Sequence, residues 1–377
     1  MRELRVALIG GGGFMGRAHS MAYALAPLLD AEARLVRHTL VDVSAELAER
    51  AADTYGWQHH SSDWEAVVAS DEIDIVDIVT PPQFHLPIAL AAIRAGKAVF
   101  CEKPLANSAA DTLEMARVAR ESGVVTQVGF NYRHSPALTH LKELIDAGEL
   151  GSMLQIRGSY LQDGHYFLGD FGWRSAKATG GSGAIGDIGS HVIDMTQYLA
   201  GPIRRVSARL ASNAGEARTM WLPDSERIER DLVDDAGVWI AEFESGAIAS
   251  FGVNFQSYGR KNQIRFELDG TLGAAAFDWN RREELRLALA SDSATQSGFK
   301  TILVSEAHRD VWYPVAGIGM GYLESSAIQL ARFARAVRGE APASPDFTEA
   351  ARVQAVVDAI HRSAESGAWV DVEEVAR

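Results

Sequence analysis

The feature that most constrains this chain is a glycine loop set between a short apolar run and a helix-like run. Leu4–Ile9 is apolar, Gly11-x-Gly13-x-x-Gly16 follows, and Met15–Leu29 has helical character. A strand that turns through glycines into a helix brings backbone N–H groups and the positive end of a helix dipole to one point, which suits a pyrophosphate. The alternation then repeats. Leu35–Val43, Ile73–Val79, Ala98–Cys101 and Val124–Phe130 read as strands, with helices over Ala45–Tyr55, Leu86–Ala95 and Ala109–Ser122 between them. Apolar strands alternating with helices predict right-handed βαβ units and a doubly wound parallel sheet, a Rossmann domain over residues 1–130. Ligands on such sheets gather at the C-terminal ends of the strands.

Asp42 ends the second strand, where a carboxylate can bond the ribose hydroxyls of a dinucleotide. Its separation from Gly16 exceeds the usual ~20 residues, an excess we assign to a longer helix or loop near Ala26–Ala33. Val43 and Ser44 follow it, with no arginine placed for a 2′-phosphate, so NAD is expected over NADP. Three turns then face one crevice: the glycine loop with Phe14 and Met15, the run Thr80-Pro81-Pro82-Gln83-Phe84-His85, and Glu102-Lys103-Pro104. An ammonium at Lys103 can stabilise an alkoxide as hydride leaves its carbon. Only six of the 36 basic residues are lysine, so a lysine inside an apolar motif stands where a compact point charge is needed. For His85 the simpler reading is a neighbour of a helix start.

The stretch Gly180–Asp194 is glycine-rich and then amphipathic, a loop entering a helix. Asp187, His191 and Asp194 can share one helical face. A carboxylate one turn from an imidazole can orient the ring and raise its basicity, as a general base requires. A solvated helix start with an acidic first turn is the competing reading. Around this stretch, residues 131–377 read as an α+β domain with one large, mostly antiparallel sheet. A helix over Ala137–Ala147 precedes strands at Met153–Gln162, Ile203–Ala211, Val238–Phe243, Ala247–Phe255, Gln263–Leu268, Gly273–Asp278 and Leu285–Leu289. The Asp187–Ala200 helix is expected on one face of that sheet, with the other face semi-polar. Helices over Glu324–Arg338 and Phe347–Glu365 close the chain, and Ser212–Asp231 and Ser291–Gly298 read as exposed loops.

Charge and composition narrow the function classes. A net charge of −14 without a basic block argues against nucleic acid and anionic membrane as partners. No apolar run approaches the ~18–20 residues that span a bilayer. Val6–Ile9 run straight into the glycine loop, so no signal peptide is expected at the N-terminus. The single cysteine, Cys101, fits a reducing compartment, and a cytoplasmic protein is expected. No metal is expected: on a strand His59 and His60 would point to opposite faces, and His134 and His140 lack ligand partners at suitable spacing.

Three separated motifs resemble the Gfo/Idh/MocA family of oxidoreductases: the glycine loop, Glu102-Lys103-Pro104, and Gly186-Asp187-x-Gly189-x-His191-x-x-Asp194. The resemblance covers essentially the whole chain. The stretches Gly10–His19, Gly129–Arg133, Tyr160–Asp163, Trp173-Arg174 and Gly317–Tyr322 are similar to its sugar-oxidising, levoglucosan dehydrogenase-like members. The resemblance implies Lys103, Asp187 and His191 as the catalytic set. It implies cofactor contacts from Gly11, Gly13, Phe14, Met15, Gly16 and Asp42, from Thr80, Pro81, His85, Glu102 and Lys103, and from Asn131, Trp173 and Arg174. Substrate contacts are implied for Tyr132, Gln162, Asp163 and His165 alongside Asp187 and His191. Arg157 reads as a strand ion pair, and His308 receives no role. Gly164 stands where the levoglucosan enzyme carries a tryptophan, which implies a roomier pocket. A homodimer or homotetramer paired through the sheet's outer face is implied as well.

The expected activity is NAD-dependent oxidation of a secondary hydroxyl on a sugar, glycoside, anhydrosugar or cyclitol, with a 3-keto product by resemblance. The alternatives are an NADP(H)-dependent keto-sugar reductase and a non-catalytic NAD(H)-binding sensor. A sensor has no need of a proton-transfer set.

Overall fold

The computed structural model describes residues 3–163, 182–212 and 233–375. Its first sheet holds six strands: β1 (Leu4–Ile9), β2 (Leu35–Val41), β3 (His59–Ser61), β4 (Ile75–Ile78), β5 (Ala98–Cys101) and β6 (Thr126–Val128). They run parallel in the order β3-β2-β1-β4-β5-β6, the doubly wound arrangement in which the chain switches direction between β1 and β4. The connecting helices are α1 (Phe14–Leu29), α2 (Ala45–Tyr55), α3 (Trp64–Ala69), α4 (His85–Arg94) and α5 (Ala109–Ser122). Local chemistry sets several of their ends. Ser44, Asp63 and Ser108 accept a backbone N–H at the starts of α2, α3 and α5, while Gly56 and Gly123 take the left-handed conformation that ends α2 and α5.

Helix α1 runs to Leu29 through Pro27, which accounts for the long interval between Gly16 and Asp42. The expected second strand ends at Val41, two residues early, because Asp42 turns its carboxylate back onto the loop. Strand β3 and helix α3 are additions. Three polar residues at the sheet edge and a six-residue helix are too short for a periodic signal.

Helix α6 (Pro136–Asp146) leads into a nine-stranded sheet. It comprises β7 (Met153–Leu161), β8 (Ile203–Ala211), β9 (Ala236–Phe243), β10 (Ile248–Asn254), β11 (Gln263–Gly270), β12 (Gly273–Asp278), β13 (Glu284–Leu289), β14 (Lys300–Leu303) and β15 (Val370–Asp371). Their order is β14-β13-β12-β11-β7-β10-β9-β8-β15, antiparallel except for β7 beside β10. The short edge strands β14 and β15 went unforeseen. Helices α7 (Ser190–Ala200) and α9 (Phe347–Ser366) cover the inner face, where Ile156, Trp239, Phe251 and Phe266 share a core with Ile193, Val356 and Ile360. Each such side chain contributes about 1.5–3 kcal/mol on burial. The outer face alternates polar residues with the exposed Val238, Ile240 and Ile248.

Helix α8 (Tyr322–Val337) packs against α1, and its Leu330 and Phe333 enter the core formed by Leu8, Tyr23, Leu40 and Phe100. A late segment of the chain thus completes the first sheet. It also brings the hydroxyl of Tyr322 to 3.8 Å from the sulfur of Met15.

Candidate active site

The glycine loop fits a dinucleotide in three respects. A Cβ on Gly16 would lie 2.1 Å from the Gly11 carbonyl oxygen, so only glycine lets α1 pack so closely on the loop. A Cβ on Gly13 would meet nothing within 4 Å, which puts that residue on the open side. Helix α1 has no side-chain cap and no acidic residue in its first turn, leaving its N–H groups available to an anion. The Asp42 carboxylate accepts the Gly12 N–H at 2.6 Å and the Val43 N–H at 2.7 Å, so it is held at the loop's rim beside the end of β2. Phe14 stands out at 75% exposed, and Met15 is half-buried beneath Tyr322.

The other two turns meet this loop. Gly10, at φ +91°, brings its backbone against that of Thr80. Thr80 and Pro81 are half-buried, whereas His85 is fully buried. The His85 ring reaches the Thr80 carbonyl at 2.8 Å on one side and the Pro104 and Leu105 carbonyls at 3.1 and 3.2 Å on the other. It is a brace between two turns, and burial lowers its pKa. Glu102 is nearly buried; one carboxylate oxygen accepts the Lys103 N–H at 3.0 Å and the other lies 3.1 Å from His19 Nε2. Lys103 leaves the turn toward the second domain, where its Nζ donates to Asp187 Oδ1 at 2.6 Å and to the Asp187 carbonyl at 3.1 Å.

The helix that carries Asp187 and His191 starts under constraint. The Asp234 carboxylate accepts the N–H groups of Gly183 and Ile185 at 3.0 and 2.7 Å, and its carbonyl accepts that of Ala184 at 2.9 Å. A Cβ on Gly183 would lie 1.9 Å from that carbonyl oxygen, which explains the glycine. Residues Ile185–Gly189 then form a π-helical turn before α7 begins at Ser190. Such wide turns recur at functional sites. Asp187 sits in this turn, where it pairs with Lys103. His191 is 5% exposed and has no hydrogen-bond partner among the described residues. Its ring packs edge-on against Phe130 and Tyr132, with centroids 5.6 and 4.7 Å away. Burial, and then the Lys103 charge, push its pKa well below 6.5 against the pull of Asp187. The imidazole is therefore neutral and able to take a proton.

Asp194 departs from the shared face expected of it. It is buried against Arg133, which donates to its two oxygens at 2.6 and 3.1 Å and reaches Glu349 at 3.0 Å. The guanidinium captures the carboxylate for a bridge between α7 and α9.

A polar network forms the wall beyond His191. The Tyr132 and Tyr160 hydroxyls lie 3.0 Å apart; Asn262 donates to Tyr132 at 2.9 Å and accepts from Tyr160 at 2.6 Å and from Gln162 at 2.7 Å. Trp279 and Tyr322 pack edge-on against Tyr132. Asn131 is buried and donates to Ser326 at 2.9 Å. Asp163 accepts from the Gly259 N–H at 3.1 Å and from Lys261 at 2.6 Å, which fixes it to the turn before β11. Arg157 pairs with Glu267 and Asp269 on the sheet, and His308 packs against His140. His165, Trp173 and Arg174 lie outside the described residues, as does most of the 212–231 loop. Sequence reasoning assigned no role to Asn262, Trp279 or His19; Asn262, at φ +50°, is legible only once its backbone is known.

Comparisons with known proteins find relatives along the whole chain. Residues 4–130 match the model of the oxidoreductase family with an NAD-binding Rossmann fold, and residues 138–276 match the GFO/IDH/MocA C-terminal domain. The chain is 37% identical to levoglucosan dehydrogenase of Pseudarthrobacter phenanthrenivorans over 404 aligned residues, covering 100% of both chains. It is 33% identical to scyllo-inositol 2-dehydrogenase (NAD(+)) of Bacillus subtilis over 249 residues, covering 66% of this chain and 67% of that one. A solved structure of levoglucosan dehydrogenase in complex with NADH and levoglucosan superposes with a TM-score of 0.91 at 38% identity, over 99% of this chain and 100% of the other.

Proposed function

The chain belongs to the GFO/IDH/MocA oxidoreductase family and is an NAD-dependent dehydrogenase; on that premise we propose that it oxidises a secondary hydroxyl of a sugar, glycoside, anhydrosugar or cyclitol to a ketone, at C3 where the substrate is a pyranose. The observation that carries this reading is a buried His191 four residues on from Asp187, whose carboxylate pairs with the Lys103 ammonium at 2.6 Å.

Gly11, Gly13 and Gly16 receive the pyrophosphate and Asp42 the adenosine ribose. Bound NAD supplies the hydride acceptor. The Nε2 or Nδ1 of His191 takes the hydroxyl proton. Lys103 presents its ammonium to the same oxygen and offsets the negative charge that grows there as the C–H bond breaks. Asp187 holds Lys103 in place and, as an anion near His191, favours the imidazolium that proton transfer creates. Tyr132, Tyr160, Gln162 and Asn262 present hydroxyl and amide groups to the remaining sugar hydroxyls.

The test is turnover followed by nicotinamide absorbance, with NAD and NADP in parallel, against anhydrosugars, glucosides, free aldoses and inositols. Turnover with NAD on one of these groups and a keto product at the oxidised carbon is the expected result. NAD binding without turnover on any of them contradicts it and favours a sensor.

The outer face of the large sheet, with Val238, Ile240 and Ile248 exposed, supports pairing of subunits through that face. Light scattering on the purified protein should give a dimer or tetramer. No helix among the described residues is long and apolar enough to cross a membrane, and a cytoplasmic site of action fits the NAD requirement.

A further inference from the structure

Behind Lys103 lies a buried chain of titratable groups that the proposed reaction does not use. Asp77 on β4 is 0% exposed, His19 on α1 is 4% and Glu102 at the end of β5 is 7%. His19 Nδ1 lies 2.8 Å from Asp77 Oδ2, and its Nε2 lies 3.1 Å from Glu102 Oε1. Tyr23 donates its hydroxyl to the same Asp77 oxygen at 2.9 Å. The second Glu102 oxygen accepts the Lys103 N–H.

Proton counting decides the state of this chain. A neutral imidazole has one N–H, so it cannot donate to two carboxylates. Both contacts are hydrogen bonds only if one more proton is present. With that proton on the ring, Nδ1–H donates to Asp77, which also accepts from Tyr23, and Nε2–H donates to Glu102. Burial alone would lower the His19 pKa, but Asp77 and then Glu102 hold it up at about 10.

The confinement is tight on the other side as well. A Cβ on Gly129 would lie 2.4 Å from Glu102 Oε1, so backbone closes off that flank of the carboxylate. Phe100 packs edge-on against the His19 ring at 5.5 Å. An apolar core would serve packing without the cost of two buried carboxylates.

We infer that His19 is a positioning residue for Lys103: by donating to Asp77 and Glu102 together it fixes the Glu102 carboxylate, which in turn anchors the Lys103 backbone and sets where the ammonium stands against Asp187. The inference rests on the catalytic reading of Lys103 given above. Displacing a reacting group by about 1 Å costs roughly 10²-fold in rate, so an anchor one residue away is within reach of turnover.

Two substitutions separate the contacts. His19→Gln keeps an N–H near the position of Nε2, toward Glu102. His19→Asn keeps one near Nδ1, toward Asp77, and releases Glu102. With the full chain and a sugar from the panel above, His19→Asn should lower kcat by roughly 10²-fold while leaving the KM for NAD little changed. His19→Gln should recover most of that loss. The double variant His19→Asn/Asp77→Asn also removes the buried Asp77 charge, which in His19→Asn keeps its N–H donor but loses its cationic partner, so it should fold well and show the same kcat loss. Wild-type kcat in His19→Asn overturns the inference, and so does an equal loss in both single variants accompanied by a raised KM. Lys103→Ala run alongside distinguishes the two levels: near-normal turnover there removes the catalytic reading itself, whatever His19 does.

Discussion

His191 shows how far a single residue's surroundings decide its chemistry. Its depressed pKa means that the neutral, proton-accepting form persists below pH 6.5, so kcat/KM for oxidation should stay level through that value and fall only at lower pH. A profile that already halves near pH 6.5 would contradict this. His19 has the opposite sign. Its folded-state pKa of about 10 exceeds the unfolded 6.5, so its stabilising contribution is full below pH 6.5 and is lost as pH rises through about 10. The melting temperature should therefore fall from neutral pH to pH 10, and less steeply in His19→Gln. Asp42 is a simpler case. Asp42→Ala removes a charged acceptor from the loop and the ribose site, and should weaken NAD binding by about 1.5–3 kcal/mol, read by titration calorimetry. Lys103, Asp42 and the glycines were legible in the sequence because each sits in a local motif. The partner of Asp194 was not, since Arg133 lies 61 positions away and nothing local announces it.

Among elements, the wide turn at Ile185–Gly189 carries the most consequence. Glycine spacing and amphipathicity foretold a helix here, but they assume 3.6 residues per turn. A π turn breaks that assumption, and Asp187 is found against Lys103 on another element. The turn is held from outside by Asp234, whose carboxylate serves two helix-start N–H groups. Asp234→Ala should destabilise the fold by about 2–4 kcal/mol, because two buried donors lose their acceptor. It should also lower kcat, since the helix start positions Asp187. Chemical denaturation measures the first effect and initial rates the second; an unchanged midpoint would refute the capping role. The main strands were legible from their apolar runs and turn residues. The short elements β3, α3, β14 and β15 were not, because two to six residues hold too little periodicity.

At the scale of the whole molecule, the two sheets are joined by contacts that no local pattern contains. Helix α8 returns to pack on α1, Gln329 donates to the Val128 carbonyl at 2.6 Å, and Arg133 bridges Asp194 and Glu349. Arg133→Ala would leave two carboxylates without their cation at that junction, at a cost of about 3–5 kcal/mol, visible as a lowered melting temperature. The amphipathic signal of α8 foretold a helix but not its docking partner, which depends on the shape of a surface assembled from residues some 300 positions earlier. The junction matters because it sets Lys103, from the first sheet, against Asp187 and His191, from the second domain. The most direct test of that arrangement is a paired measurement of NAD affinity and sugar-dependent turnover in Lys103→Ala and His191→Ala. The account predicts NAD binding close to wild type and turnover reduced by about 10²–10⁴-fold in each; turnover near wild type in both variants would contradict it.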